Sequence, residues 1–456
     1  MGRLNFGIVA RFSTYLVLGL GLLCVMLFTF NDRSSYKDQA FYLNTIQHLE
    51  GTNLALGLSD SIAVGWSRVN ITPNDSWPLA GYGARKPKEF DQVYDSIFAR
   101  ALVVCNEHDK AAIVSVDLLI IPPLVTKMLR EKLLEIGWSL DKVYLTATHS
   151  HSSIGGWQPG PVGKLFAGDF DPQTIAYLTE RIIVAIENAE LTQRKGSMTY
   201  GELSVPDMVK NRLVGEQGIV DPWLKVLMYT SSEISGLHAT YSAHATCIHH
   251  QSRALTADYP GELTNDLVDR LGFDHAMYSA GAVASMGPKN GTLDERQNAK
   301  QISRTLSEQI ELFRLLEPKQ QSIASIKSFR FPIELRKPMF KLFGKVTLRP
   351  WIFYQLTGGY ETEISGLILN DLLYIGLPCD FSGELAIPLY DYARDKGLNL
   401  IITSFNGGYI GYIPHDKWYD LDKYETKTMA WYGFDNGAYF SEVIRRVIDK
   451  VADGNN

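Results

Sequence analysis

Cysteine is scarce and scattered. The four in this chain, Cys24, Cys105, Cys247 and Cys379, form no CxxC pair, and Cys24 falls inside an apolar run. A disulfide framework and a cysteine-rich zinc site are both excluded on that ground. A basic excess is missing as well. The net charge is −6, whereas a nucleic-acid surface needs clustered lysine and arginine, so no nucleic-acid partner is expected. No feature of the sequence points to a protein partner, and internal repeats and low-complexity tracts are absent. The charged fraction of 21% and apolar fraction of 45% exclude a disordered chain. With 456 residues there is ample length for a large buried core.

Long apolar runs are also rare, and the one that stands out is N-terminal. Phe12 to Phe30 carries no charge and is long enough to cross a hydrocarbon core as a helix. Arg3 and Arg11 precede it, which holds the N-terminus in the cytoplasm and sends the rest across. Asp32, Arg33 and Lys37 follow, with no small-x-small cleavage signature before them. A lipoprotein reading fails because Leu22 and Leu23 stand before Cys24. The expectation is an uncleaved single-pass anchor with its domain on the extracytoplasmic side, periplasmic or extracellular. Residues 1–33 would be the cytoplasmic tip and transmembrane anchor, 34–60 a juxtamembrane helix or linker, and 61–456 one large catalytic domain.

From about Ser61 strand-like and helix-like runs alternate. Strands are expected at Ile97–Cys105, Ala111–Val116, Val143–Thr148, Leu224–Tyr229 and Leu372–Leu377. Helices are expected at Leu124–Ile136, Pro172–Ala189, Glu262–Leu271, Glu295–Leu316 and Gly383–Lys396. In the second helix Ile175, Leu178, Ile182, Ile183 and Ile186 share one face at helical spacing. This alternation predicts an α/β fold, a mixed β-sheet core with flanking helices, and no Pro/Gly/Ser-rich linker divides it. The segment 324–370 is the irregular part.

Four motifs carry chemistry. Thr148-His149-Ser150-His151-Ser152-Ser153-Ile154-Gly155-Gly156 follows a strand end, where open α/β sheets place ligands. If the strand continued, the two histidines would point oppositely and need not share a metal. His244 ends a second strand-like run and reads as a metal ligand, while His249 and His250 read as solvated or outer residues. Asp380, in Gly376-Leu377-Pro378-Cys379-Asp380-Phe381, could complete a two-His-one-carboxylate set, but by itself reads as the N-cap of the next helix. Asn406-Gly407-Gly408-Tyr409-Ile410-Gly411-Tyr412-Ile413-Pro414, followed by Tyr424-Glu425, reads as a glycine-rich turn.

In their order these motifs resemble the neutral (non-lysosomal) ceramidases. Thr-His-x-His-Ser-x-x-Gly-Gly, Asn211-Arg212, a histidine after a strand, Pro-x-acid-Phe, Gly-Tyr-Ile and Tyr-Glu follow one another as they do in that family. Val64-Gly-Trp-Ser-Arg-Val-Asn-Ile-Thr-Pro, Gly81-Tyr82 and Ala99-Arg-Ala-Leu-Val-Val match its start. The resemblance covers roughly residues 61–435. It implies a zinc-dependent amidohydrolase that cleaves an N-acyl amide of a ceramide-like sphingolipid or other lipid amide by metal-activated water. It implies Zn²⁺ held by His149, His244, Asp380 and Tyr412, with Asp380 standing where the family has glutamate. His151, Arg212 and Tyr424 match residues that bind the scissile amide and its developing charge. Ser285 stands nearest to the family's catalytic serine.

Two departures are visible. The family's Gly-Asp-Val-Ser-Pro reads here Gly281-Ala282-Val283-Ala284-Ser285-Met286-Gly287-Pro288, without the aspartate and with the serine displaced by one. The family's C-terminal β-sandwich is not expected, since the chain runs only a short way past Tyr432-Gly433. These departures keep two alternatives in view: a related zinc hydrolase of a non-sphingolipid amide or ester, and a catalytically inactive binding protein of the same fold.

Overall fold

Alternate residues of the central strands point into different cores, and that alternation defines the architecture. In the computed structural model, which describes residues 6–59, 61–86, 88–231, 234–291, 294–318 and 325–454, two sheets stack between helical layers. The larger sheet has eight strands. In spatial order they are His275–Ala280, Ser235–Tyr241, Trp223–Ser231, Arg194–Ser204, Ile62–Asn70, Phe98–Cys105, Lys110–Val116 and Val143–Ala147. The smaller has five: Gly57–Leu58, Ser325–Pro332, Glu363–Leu369, Leu372–Gly376 and Asn399–Thr403.

On Phe98–Cys105, Ala99, Ala101 and Val103 face a helix-covered core, whereas Leu102 and Val104 face the other sheet. On Leu372–Gly376, Leu373 and Ile375 face helices, whereas Leu372 and Tyr374 meet the larger sheet. Both faces of these strands are buried, so they read as continuous apolar runs in the sequence. Helices Pro123–Lys132 and Pro172–Leu191 cover one half of the larger sheet, and Asp258–Asp269 with Glu295–Leu315 the other. Gly383–Asp395 and Asn436–Gly454 cover the smaller. The layers run helix, sheet, sheet, helix.

The mixed sheets expected from the sequence are present, but most pairs are antiparallel. Phe98–Cys105 and Lys110–Val116 are joined by a tight hairpin, and so are Trp223–Ser231 and Ser235–Tyr241, which forces antiparallel pairing. Within these two sheets, parallel pairs form where a helix supplies the crossover: Lys110–Val116 with Val143–Ala147, Ser235–Tyr241 with His275–Ala280, and Leu372–Gly376 with Asn399–Thr403.

At the N-terminus, helix Phe6–Leu27 contains an 18-residue window, Ala10–Leu27, of mean hydropathy 1.8, none of it buried. Arg3, invoked above for orientation, lies outside the described residues. The juxtamembrane stretch is packed. Helix Ala40–Gly51 buries Tyr42, Thr45 and Leu49, and Thr45 Oγ1 meets Tyr439 Oη at 2.8 Å. The irregular 324–370 segment contributes a hairpin, Lys341–Phe343 and Val346–Leu348, and a short helix, Pro350–Thr357.

Candidate metal centre

The site lies at the ends of strands from both sheets. Val143–Ala147 stops before the histidine pair, because His149 adopts φ 62°. That left-handed turn folds the chain back and brings His149 Nε2 within 3.0 Å of His151 Nε2. The opposite projection expected from a continuing strand is therefore corrected: the two rings face one point. Close approach of Gly81 supports the loop. It has φ 123°, and a Cβ there would sit 2.5 Å from His151 Cα.

His149 Nδ1 donates to Leu119 O at 2.6 Å, and His244 Nδ1 to Val283 O at 2.8 Å and Met286 O at 3.0 Å. These bonds fix the tautomer and leave both Nε2 lone pairs directed inward. Burial lowers both rings to a pKa of about 3, so each is neutral, the form that ligates metal. Phe405, itself at φ 67°, stacks on His149 with centroids 3.8 Å apart.

Asp380 is fully buried. The N-cap reading is corrected: Ser382 caps helix Gly383–Asp395, and Asp380 belongs to a two-residue strand paired in parallel with Tyr412–Ile413, in register with Tyr412. Its Oδ2 accepts from Tyr409 Oη at 2.8 Å. Its Oδ1 has no hydrogen-bond partner and lies 3.2 Å from His244 Nε2 and 3.8 Å from His149 Nε2. Burial raises its pKa to about 6, against the opposing pull of His149, Tyr409 and Arg212. Tyr412 Oη lies 3.0 Å from His244 Nε2.

Two ligands of a tetrahedral zinc, at ~2.0–2.1 Å each, sit about 3.3 Å apart. The His244–Asp380, His149–Asp380 and His244–Tyr412 separations of 3.2, 3.8 and 3.0 Å bracket that value. The ligand atoms of His149, His151 and His244 likewise lie within 4.8 Å of one another. An orphaned buried carboxylate oxygen beside inward lone pairs is an arrangement that a cation completes, and the N/O donor set suits zinc. His149 and His244 belong to both possible sets. Asp380 offers an enclosed free oxygen as a third donor, and His151, which packs on Tyr82, offers a nitrogen in the other set.

Arg212 donates through Nη2 to Tyr412 Oη at 3.0 Å and to His244 Nε2 at 3.0 Å, and through Nε to Glu425 Oε1 at 2.7 Å. Burial disfavours its cation, but Tyr412, Glu425 and Asp380 more than offset that and raise its pKa. Tyr424 is 60% exposed, with its ring 6.1 Å from that of Tyr412. Ser285, fully buried at φ 63°, donates to Glu425 Oε2 at 3.0 Å and does not line the cavity. His249 is exposed, and the half-buried His250 packs at a tilt against it and edge-on to Tyr82, outside the cavity lining.

Above the cluster opens a cavity of about 860 Å³. His149, His151, Arg212, Tyr412 and Tyr424 form its polar end, and Leu119, Val162, Phe166, Phe353, Met429 and Trp431 are among its apolar walls. Sequence reasoning named the polar residues but missed Tyr409, Phe405 and Glu425 as parts of the site. Tyr409 and Glu425 stood inside quoted motifs without a role. Phe405 had no local signal.

The fold and this site define a two-sheet α/β protein with a histidine-rich, metal-competent cluster beside an apolar cavity. Known proteins are similar to parts of this chain. Residues 63–215 match the family model described as neutral/alkaline non-lysosomal ceramidase, N-terminal. The chain is 22% identical over 298 residues to a neutral ceramidase of Pseudomonas aeruginosa, a match spanning 60% of this chain and 42% of that protein. The chain thus spans less than half the length of that curated relative. The crystal structure of neutral ceramidase from Pseudomonas aeruginosa shares the fold, with a TM-score of 0.75 at 16% identity over 86% of this chain and 75% of that one. A structure of ceramidase complexed with C2 gives the same TM-score at 15% identity and the same coverage. Over these stretches the chain is similar to the neutral/alkaline ceramidases, and it shares their fold.

Proposed function

We propose that the protein is a zinc-dependent hydrolase of an N-acyl amide, with a ceramide-like lipid as the first substrate class. The observation that carries this is the convergence of His149, His244, Asp380 and Tyr412 beside a mainly apolar cavity that His149 and Tyr412 help to line. Those four residues would hold the ion, and zinc bound there would supply Lewis acidity and a water of lowered pKa. The apolar walls suit an acyl chain, and the polar end suits an amide.

The geometry supports the remaining roles, which the resemblance implied. Arg212 and Tyr424 reach the cavity beside the cluster and would stabilise an oxyanion developing on the carbonyl. His151, neutral and with Nδ1 unpartnered, would carry the proton to the leaving nitrogen. Glu425 holds the Arg212 guanidinium, and Ser285 holds Glu425, so Ser285 acts as a positioning residue. No serine nucleophile is needed.

The N-terminal helix is proposed as an uncleaved anchor with its domain extracytoplasmic. Its last residue leads straight into strand Phe28–Phe30, which pairs with Val346–Leu348 and joins the helix to the domain. We take the hydrolase domain as 61–456, with 34–60 packed onto it.

The test is purified protein incubated with a panel of N-acyl lipids, with and without chelator, read by mass spectrometry. Release of fatty acid and free amine that chelator stops and zinc restores is the expected result. Hydrolysis of water-soluble N-acyl compounds with none of lipid amides would overturn the substrate class. Turnover indifferent to chelator would overturn the metal.

A further inference from the structure

The C-terminal end of the N-terminal helix is fastened to the domain. The last carbonyls of any helix lack intrahelical partners. Here Val25 O accepts from Arg349 Nε at 2.7 Å, Met26 O from Trp351 Nε1 at 3.2 Å, and Leu27 O from Arg349 N at 2.9 Å. The Arg349 cation also sits at the negative end of the helix dipole. Phe28–Phe30 then adds to the 341–348 hairpin as a third strand, and Asn31 N donates to Lys345 O at 2.9 Å. The helix is held by groups of residues 345–351, not by a flexible tether.

The same segment builds the cavity. Leu348, Phe353 and Leu356 line it, and helix Pro350–Thr357 packs on helix Gly160–Ala167. Leu165 lines the cavity yet is 65% exposed, which marks the mouth. On helix Pro350–Thr357, Trp351 is 52% and Tyr354 42% exposed. Large aromatic side chains at the end of a membrane-crossing helix occupy the headgroup level of a bilayer.

From this continuity we propose that the surface carrying Leu165, Trp351 and Tyr354 docks on the bilayer that the N-terminal helix crosses, so that the cavity draws its lipid amide directly from the adjoining leaflet. Lateral entry spares the acyl chain a passage through water, whose cost grows with every methylene. The inference rests on the anchor and lipid-amide readings given above.

The experiment uses the full chain in phosphatidylcholine nanodiscs doped with phosphatidylcholine bearing an acyl-chain diazirine. After irradiation, labelled peptides are mapped by mass spectrometry. Labels on the N-terminal helix and on peptides covering 160–167 and 350–357 are expected. Labels confined to the N-terminal helix overturn the docking surface while leaving the anchor intact. An unlabelled helix overturns the anchor and the surface with it. Labelling needs no turnover, so a failure of the amidase reading does not touch this result. As a second arm, Trp351→Ser combined with Tyr354→Ser should lower hydrolysis of a long-chain amide in the nanodisc at least tenfold and leave a short-chain soluble amide unchanged. Equal losses on both substrates overturn the proposal.

Discussion

Ser285 donates its hydroxyl proton to Glu425, Oγ to Oε2, at 3.0 Å. The other oxygen of Glu425 holds Arg212 Nε, so the serine is one residue removed from the guanidinium that faces the cavity. Ser285→Ala leaves Glu425 its bond to Arg212 and leaves the metal donors untouched. The variant should keep its metal and retain turnover within roughly tenfold, or ~1.4 kcal/mol of barrier. Glu425→Gln should lose more, since it removes the charge opposite Arg212. Both are measured as kcat and KM beside metal content. Abolished turnover in Ser285→Ala with metal retained would return the serine to the chemistry.

Removing one donor separates binding the metal from using it. His244→Ala deletes an Nε2 that lies 3.2 Å from Asp380 Oδ1 and 3.0 Å from Tyr412 Oη. It should lose zinc and essentially all turnover. His151→Ala leaves His149, His244, Asp380 and Tyr412 in place and should keep zinc while losing about 10²–10⁴-fold in kcat, the usual worth of a positioned acid or base. Zinc stoichiometry by elemental analysis, with turnover on the same samples, checks both. Loss of zinc in His151→Ala would make it a ligand.

The sequence carried the strands and the histidines well, for a physical reason. Strands buried on both faces, such as Leu372–Gly376, are apolar throughout and stand out. Chemistry-bearing residues gather at their ends, where the chain leaves the sheet. Sheet polarity was less legible, because hairpin and crossover partners are decided by packing rather than by composition. The cluster itself depends on features without a local signature. The left-handed turn at His149 reverses the pattern that period-two alternation suggests. Asp380 lost its cap role because Ser382 lies closer to the helix start. Phe405 and Tyr409 reach the site only once the 404–413 loop packs beside the strand ends.

Tyr409 is the most direct test of support around the cluster. Its hydroxyl donates to Asp380 Oδ2, leaving Oδ1 as the free oxygen directed at the two histidines. Tyr409→Phe keeps the ring packed near Phe405 and Trp431 but frees the carboxylate to rotate. Loss of such a supporting bond typically weakens metal affinity or activity by 10–100-fold. Competition with a zinc chelator at fixed protein concentration reads the affinity directly. Affinity within twofold of the parent would show that Asp380 is held by its strand pairing alone.

Asp95 gives a prediction on stability that lies away from the metal cluster. Burial raises its pKa to about 7, despite hydrogen bonds from Thr256 and the Ala257 amide that favour the charged form. In the unfolded chain the group titrates near its ordinary value of 3.8. Between those values the folded protein binds the extra proton, so the contribution of Asp95 to stability is complete below about pH 4, falls as pH rises, and is lost above about pH 7. Asp95→Asn fixes the neutral form and keeps an oxygen to accept from Ala257 N, 3.2 Å away in the parent. The variant should match the parent in melting temperature near pH 4 and exceed it by a margin that grows to about pH 7 and levels off above it. Thermal unfolding of both proteins at half-unit pH steps gives that difference curve. A margin that shrinks as pH rises would mean that Asp95 is charged and stabilising in the folded state.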